Sequence, residues 1–391
     1  MASNALHRTQ IGTQTVLVGI IIFLLAGFCF SQASLSPSGA SQSDWTQFHR
    51  TNMTRQNPYE HTLNIHNVRS LQRKWSYATT YGEVRSSPAV ANGVVYVGSY
   101  VGDENGNVYA LNASTGALLW SYPTNVGLWM FSSPAVVDGV VYVADVALNA
   151  STGGMLWKYD GEWSSPAVAD GVVYFGGDGA VYALHARTGH QIWSYGTASG
   201  DRIYSCPAVA NGAVYIGSDD KNVYALNAKT GALLWSYTTG GAVRSSPAVA
   251  NGVVYVGSED NNVYALSAST GVLLWSYTTG GLVDSSPAVA KGVVYVGSGD
   301  DNVYALNAST GAKLWSYTAG YAVTSSPAVA NGVVYVGSWW PDGEVYALNA
   351  STGAKLWSYV TDWNVESSPA IVDGVLYVGS NDGNLYAFGL K

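Results

Sequence analysis

Residues 244–281 read RSSPAVANGVVYVGSEDNNVYALSASTGVLLWSYTTGG, and near copies of this stretch fill the chain. The Pro of its Ser-Ser-Pro core falls at 88, 134, 166, 207, 247, 287, 327 and 369, at spacings of 46, 32, 41, 40, 40, 40 and 42. The Trp of Leu-Trp-Ser-Tyr and its variants falls at 75, 120, 157, 193, 235, 275, 315 and 357. Within one copy, residues 245–250 are small and contain a Pro, which suits an innermost strand where sheets converge. Asn251-Gly252 is a two-residue hairpin turn of the type that needs positive φ. Residues 253–257 are β-branched and aromatic, as in a strand covered on both faces. A polar turn at 259–262 leads to a third strand, 263–266. Ala268-Ser-Thr-Gly271 then turns the chain into an outer strand, 273–277. Four strands in each copy of about forty residues predict a propeller with one sheet per copy.

Both landmarks occur eight times, which predicts eight blades. Trp75 precedes the first Ser-Ser-Pro, and the last copy ends after its third strand without a Trp. The expected fold is therefore all-β: an eight-bladed β-propeller of four-stranded antiparallel blades over residues 71–391. It is closed by residues 71–79 pairing with the C-terminal blade, which leaves no unpaired sheet edge. Each Trp is expected between adjacent blades, where burial removes roughly 150–250 Å² from water.

Residues 16–30 are an apolar run, followed by Ser31-Gln32-Ala33. That is the layout of a secretory signal, and it is short against the roughly 20 residues of a membrane span. The chain is expected to be exported, to the periplasm or the cell surface, with residues 1–33 removed or kept as an N-terminal anchor through 16–30. Residues 34–70 read as a linker and polar lead-in. Its His49, His61 and His66 fit no zinc spacing and are expected to be surface polar groups. Only 11% of residues are charged and the formal net charge is −8, which argues against a nucleic-acid partner. Cys206 replaces the second Ser of its Ser-Ser-Pro core and is expected to be a small buried residue. The acidic turns at Asp219-Asp220, Glu259-Asp260, Asp300-Asp301 and Asp382 each offer fewer oxygens than the roughly 6–8 that calcium takes. No metal is expected.

The segment Ala305-Leu-Asn-Ala-Ser-Thr-Gly-Ala-Lys-Leu-Trp315 resembles the repeat of the pyrroloquinoline quinone (PQQ)-type propeller family. Residues 44–48, Asp-Trp-Thr-Gln-Phe, resemble the segment that precedes such propellers. The family holds quinoprotein dehydrogenases, which bind PQQ and calcium, and non-catalytic members such as the BamB-like factor of outer-membrane protein assembly. The adjacent Cys pair that the dehydrogenases often carry beside the quinone has no counterpart in this chain, and no calcium-binding or catalytic residue carries over. The resemblance implies a BamB-like, non-catalytic scaffold outside the cytoplasm, with no cofactor. Its partners would be other envelope or surface proteins, or glycans. The alternative is a PQQ-dependent dehydrogenase acting on an alcohol or sugar, with PQQ and calcium as cofactors.

In a four-stranded meander, the second-to-third turns and the blade connections lie on one face. The departures from the forty-residue rule fall there: a long turn at 100–106, an extended one at 339–342, long connections at 123–131 and 196–204, and trimmed segments at Asp145 and 160–163. Length variation on one face of a repeat array marks its binding side. The charged residues that break the repeat on that face are Arg85, Arg202, Arg244, Asp284 and Glu366. The aromatic ones are Trp129, Phe131, Trp163, Tyr204 and Tyr321, together with Trp339, Trp340 and Trp363. Aromatic side chains with Arg suit a partner-binding face.

Overall fold

Small side chains at the start of each repeat let eight sheets converge on one axis. The computed structural model describes residues 41–391 except 51, 80–81, 102–103, 125–131, 162–163, 340 and 342. The signal-like run and the linker up to residue 40 lie outside the described residues, as do Trp129, Phe131, Trp163 and Trp340. Eight antiparallel sheets follow in chain order. Blade five is typical, with strands Ala248–Ala250, Val253–Gly257, Asn262–Ser267 and Leu273–Thr278 from the axis outward. In blade eight the outer strand is Gln72–Ala78, paired antiparallel with Asn384–Gly389. The ring is closed by its two ends, as the order of the landmarks requires.

The Trp of each outer strand locks its blade to the next. Trp275 Nε1 donates to the Ala308 carbonyl at 2.9 Å, and the Tyr255 hydroxyl donates to the same oxygen at 3.1 Å. The ring of Trp275 lies on Gly311, where a Cβ would come within 2.7 Å of it. The Gly of the Ser-Thr-Gly turn is therefore needed twice over, for its φ of +71° and for the close approach of the indole. At the seam, Trp357 Nε1 donates to the Leu71 carbonyl instead, at 3.1 Å. A bulge recurs between third and outer strands: Ala265 faces Trp275 but Leu266 faces Leu273, so Leu274 is the extra residue.

The axis is held by a belt of serines. Ser246 N–H donates to Ser286 Oγ, Ser286 N–H to Ser326 Oγ, Ser326 N–H to Ser368 Oγ, and Ser368 N–H to Ser87 Oγ, each at 2.9–3.0 Å. The belt continues through Ser133 and Ser165. Cys206 occupies the remaining position, its N–H donating to Ser246 Oγ at 2.8 Å.

The polar lead-in is not a surface segment. Residues 45–57 wind once around the axis and meet the inner strands in blade order. Trp45 exchanges two backbone hydrogen bonds with Val90 of blade one. Val136 N–H of blade two donates to the Thr46 carbonyl, and Val168 N–H of blade three to Gln47 Oε1. Phe48 and His49 face Cys206 and Pro207 of blade four. Val249, Val289 and Val329 N–H groups donate to the carbonyls of Met53, Thr54 and Arg55. Gln56–Asn57 adds a fifth, parallel strand to blade seven, and Asn57 Nδ2 donates to Ile371 O of blade eight. An inner strand has a free edge facing the axis, and this strap satisfies its N–H groups where water would otherwise be needed.

Arg55 anchors the strap. It is fully buried, and its guanidinium donates to four carbonyls, those of Phe48, Ser326, Pro327 and Pro369. It also lies 4.4 Å from the Phe48 ring centroid. His49, expected on the surface, is only 2% exposed, whereas His61 and His66 are exposed.

Candidate functional site

The strap closes one end of the axis. The other end is a mouth lined by two sets of residues: the one preceding each Ser-Ser, and the one opening each second-to-third turn. In a perfect repeat both sets would be uniform. Here they differ from blade to blade.

On the side of blades four to six the mouth is charged. Arg244 donates Nε and Nη2 to both oxygens of Asp219, at 3.1 Å each, a bidentate pair across the blade boundary. Its Nη1 lies 2.9 Å from Glu259 Oε1 within its own blade. The guanidinium also covers the Tyr204 ring at 5.3 Å, and Arg202 Nη1 donates to the Tyr204 hydroxyl at 3.3 Å. The Asp219 hydrogen bonds push the Arg244 pKa up. Asp284 stands beside this group. Burial, reinforced by the charges of Glu259 and Asp219 and opposed by Arg244, pushes its carboxyl up to about 6. Its Oδ1 is buried without a hydrogen bond.

At the seam a second charged group forms. Arg85 Nε pairs with Glu83 and lies 3.6 Å from Glu366 Oε2 of blade eight, while its guanidinium covers the Tyr100 ring at 5.6 Å. Glu366 Oε1 accepts from Asn381 Nδ2 at 3.1 Å. On blade seven, Trp339 Nε1 donates to Thr324 Oγ1 at 2.7 Å. Trp339, Tyr321 and Trp363 are 39%, 42% and 48% exposed, so their rings present apolar surface to solvent. Blade two is cut back. Val143 pairs with Val146 across a two-residue turn, and the buried Asp145 takes Lys158 Nζ at 3.0 Å. The rim is notched there.

The structure thus joins Arg202, Tyr204, Arg244 and Asp284 in one group and Arg85 with Glu366 in another. It separates both from Trp339 and Tyr321 on blade seven. Sequence reading missed Asp219, Glu259, Glu83 and Asn381 as partners. Their only signal was position, since each opens a turn or connection on the face already singled out. Asp220, Asp260, Asp300 and Asp382 serve the turns themselves. Each accepts a hydrogen bond from the Tyr four residues on, at 2.6–2.7 Å. Among the described residues, no group of three or more His, Cys, Asp or Glu side chains could hold a metal ion.

A family model described as the β-propeller of β-alanine-activating enzyme matches residues 178–391, more than half the chain. A model described as the outer membrane protein assembly factor BamB matches residues 45–205. No curated protein sequence matches. Among solved structures, a europium-containing methanol dehydrogenase superposes with a TM-score of 0.78 at 16% identity, covering 90% of this chain and 98% of the other. A quinohemoprotein alcohol dehydrogenase from Pseudomonas putida HK5 gives 0.76 at 19% identity, covering 90% and 80%. BamB from Moraxella catarrhalis gives 0.66 at 20% identity, covering 82% and 100%. At these identities the likeness is one of fold, an eight-bladed PQQ-type propeller related to both groups. The expectation that the chain is not an enzyme is corrected here. The two dehydrogenases superpose with higher TM-scores than the BamB structure, so the fold does not set this chain apart from enzymes. Among the described residues no helix is long and apolar enough to cross a membrane.

Proposed function

The chain belongs to the propeller family described for β-alanine-activating enzyme, and from that premise we propose that it is an exported binding propeller whose charged mouth is the recognition surface. The observation that carries this is the break in repetition. Seven blades keep Ser-Ser before Pro and the eighth has Ser205-Cys206, yet the residue before these pairs is Arg85, Tyr204, Arg244, Asp284, Thr324 or Glu366 in six different blades. Packing alone asks for one solution repeated eight times. A mouth that carries the Arg244 and Arg85 groups in one part and the exposed rings of Tyr321, Trp339 and Trp363 in another suits an envelope or surface protein with charged and aromatic side chains. The test is capture from an envelope extract by immobilised wild-type chain and by a double variant, Arg244→Glu with Trp339→Ala. Loss of the captured partner with an unchanged circular dichroism spectrum is expected. Equal capture by both proteins removes the mouth from the proposal.

A second reading, quinone-dependent oxidation of an alcohol or sugar, draws on the dehydrogenase neighbours. The described side chains do not fit the calcium-bound quinone. Asp219 and Glu259 are held by Arg244, and Glu83 and Glu366 by Arg85, so that of the described carboxylates of the mouth only Asp284 keeps an oxygen without a partner. Adding PQQ and calcium to the purified chain and following dye-linked oxidation of alcohols and glucose decides the matter. Turnover establishes the second reading, and a chain that binds neither PQQ nor calcium removes it.

A further inference from the structure

Arg244, the residue before Ser-Ser in blade five, is held between two turn openers. Its Nε and Nη2 take Asp219, which opens the turn of blade four, and its Nη1 lies 2.9 Å from Glu259, which opens the turn of its own blade. The same frame recurs at the next boundary. Glu259 N–H donates to the Ala242 carbonyl at 2.9 Å, as Asp219 N–H does to that of Arg202 at 3.1 Å. Ser285 Oγ accepts from Gly297 N–H, as Ser245 Oγ does from Gly257 N–H, each at 3.0 Å. Asp284 therefore stands to Glu259 as Arg244 stands to Asp219. The first boundary joins a guanidinium to a carboxylate. The second sets carboxylate against carboxylate, and their charges repel.

Its own blade gives Asp284 no partner either. The contact of Arg244 with Glu259 has counterparts in Thr324 with Trp339, at 2.7 Å, and Glu366 with Asn381, at 3.1 Å. In blade six the turn opener is Gly299, which has no side chain to offer. Gly299 N–H keeps the backbone bond, to the Leu282 carbonyl at 2.8 Å, so the turn is in place and only the side chain is missing. Asp284 Oδ1 is buried without a hydrogen bond, where a buried carboxylate oxygen normally has a donor. Across the group Asp219, Glu259 and Asp284 stand against Arg202 and Arg244, one positive charge short of balance. Leu282, 40% exposed, borders the gap, since a Cβ built on Gly299 would come within 3.2 Å of its Cγ.

We propose that the gap between Asp284 and Glu259 receives an arginine side chain of the partner, which rests on the mouth being the recognition surface. A planar guanidinium reaches two carboxylates at once, as Arg244 itself does, and its aliphatic stem covers Leu282. A lysine ammonium is a point charge without that fork.

The test titrates the full chain, at low salt, with a blocked Gly-Arg-Gly peptide and with its citrulline and lysine counterparts, followed by NMR of the peptide. The arginine peptide should bind, and the citrulline peptide, of the same shape without the charge, at least about 10-fold more weakly. Asp284→Asn keeps the shape of the side chain and should weaken the arginine peptide at least about 10-fold. Asp301→Asn removes a negative charge from the same blade outside the gap, puts there the residue that blade five has at Asn261, and should bind as wild type does. Equal binding of the arginine peptide by wild type and Asp284→Asn overturns the site, and so does a wild-type chain that does not distinguish arginine from citrulline. A lysine peptide held as tightly as the arginine one overturns the fork. If envelope capture needs Arg244 and Trp339 while the arginine peptide ignores Asp284, this site alone falls. If the arginine peptide needs Asp284 while capture ignores the double variant, the recognition reading falls and the guanidinium site stands.

Discussion

Two glycines with similar dihedral angles have different jobs, and substitution separates them. Gly252 has φ +77° and nothing within 4 Å of a built Cβ, while Gly271 has φ +70° and would drive a Cβ to 2.7 Å from the Trp235 ring. Gly252→Ala pays only for the left-handed backbone, about 1–2 kcal/mol. Gly271→Ala adds displacement of a packed indole and should cost about 2–4 kcal/mol, measured by urea unfolding. Asp284 gives the pH dependence. Its pKa rises from 3.8 unfolded to about 6 folded, so the native state holds its proton more tightly. Its contribution is fully present below about pH 4 and is lost as pH rises toward 6. Asp284→Asn should therefore stabilise the chain by about 1–3 kcal/mol at pH 7 and by nothing at pH 4, read from melting temperatures at the two pH values.

Among the elements, the seam strand and the strap carry the same task by different means. Deleting residues 71–80 leaves Asn384–Gly389 as a bare edge and strips Trp357 of its carbonyl acceptor at Leu71. The melting temperature should fall by more than 10 °C, at about 2–4 °C for each kcal/mol lost in a chain of this size. An unchanged curve would show that closure lies elsewhere. The seam strand was legible in the sequence because its Trp and the missing last Trp make a matched pair. The strap was not. Most of its bonds use the main-chain carbonyls of Trp45, Thr46, Met53, Thr54 and Arg55, and a backbone acceptor leaves no trace in residue type. Arg55 gave no signal either, since a buried guanidinium held by carbonyls lacks the acidic partner that would betray it. At the mouth, Arg244 stood out as a break in the repeat, but its bidentate hold on Asp219 spans two blades and depends on the angle between them.

For the whole molecule, the strap changes how a repeat array unfolds. A propeller without it would be a set of neighbours, each stabilised by two contacts. A segment bonded in turn to nearly every blade couples them all. The full chain should lose structure in a single urea transition, and a chain lacking residues 41–57 should unfold over a broader range with a smaller m-value. Coincident transitions by tryptophan fluorescence and circular dichroism check the first statement. The asymmetry of the mouth belongs to this scale too: a ring with eight equivalent positions can carry a directed surface only by spoiling its own repetition, and blades one, two and four to eight are where that has happened.

The order in which the strap meets the blades also constrains biogenesis. A polypeptide is made amino end first, so residues 45–57 exist before any strand they will fasten. Ile371, the last acceptor they need, follows Asn57 by 314 residues. Until then the early segment has no seat, and a ribosome that stalls within the last repeat releases a product with both ends loose. The strap can therefore be fastened along its whole length only after the eighth blade has been made.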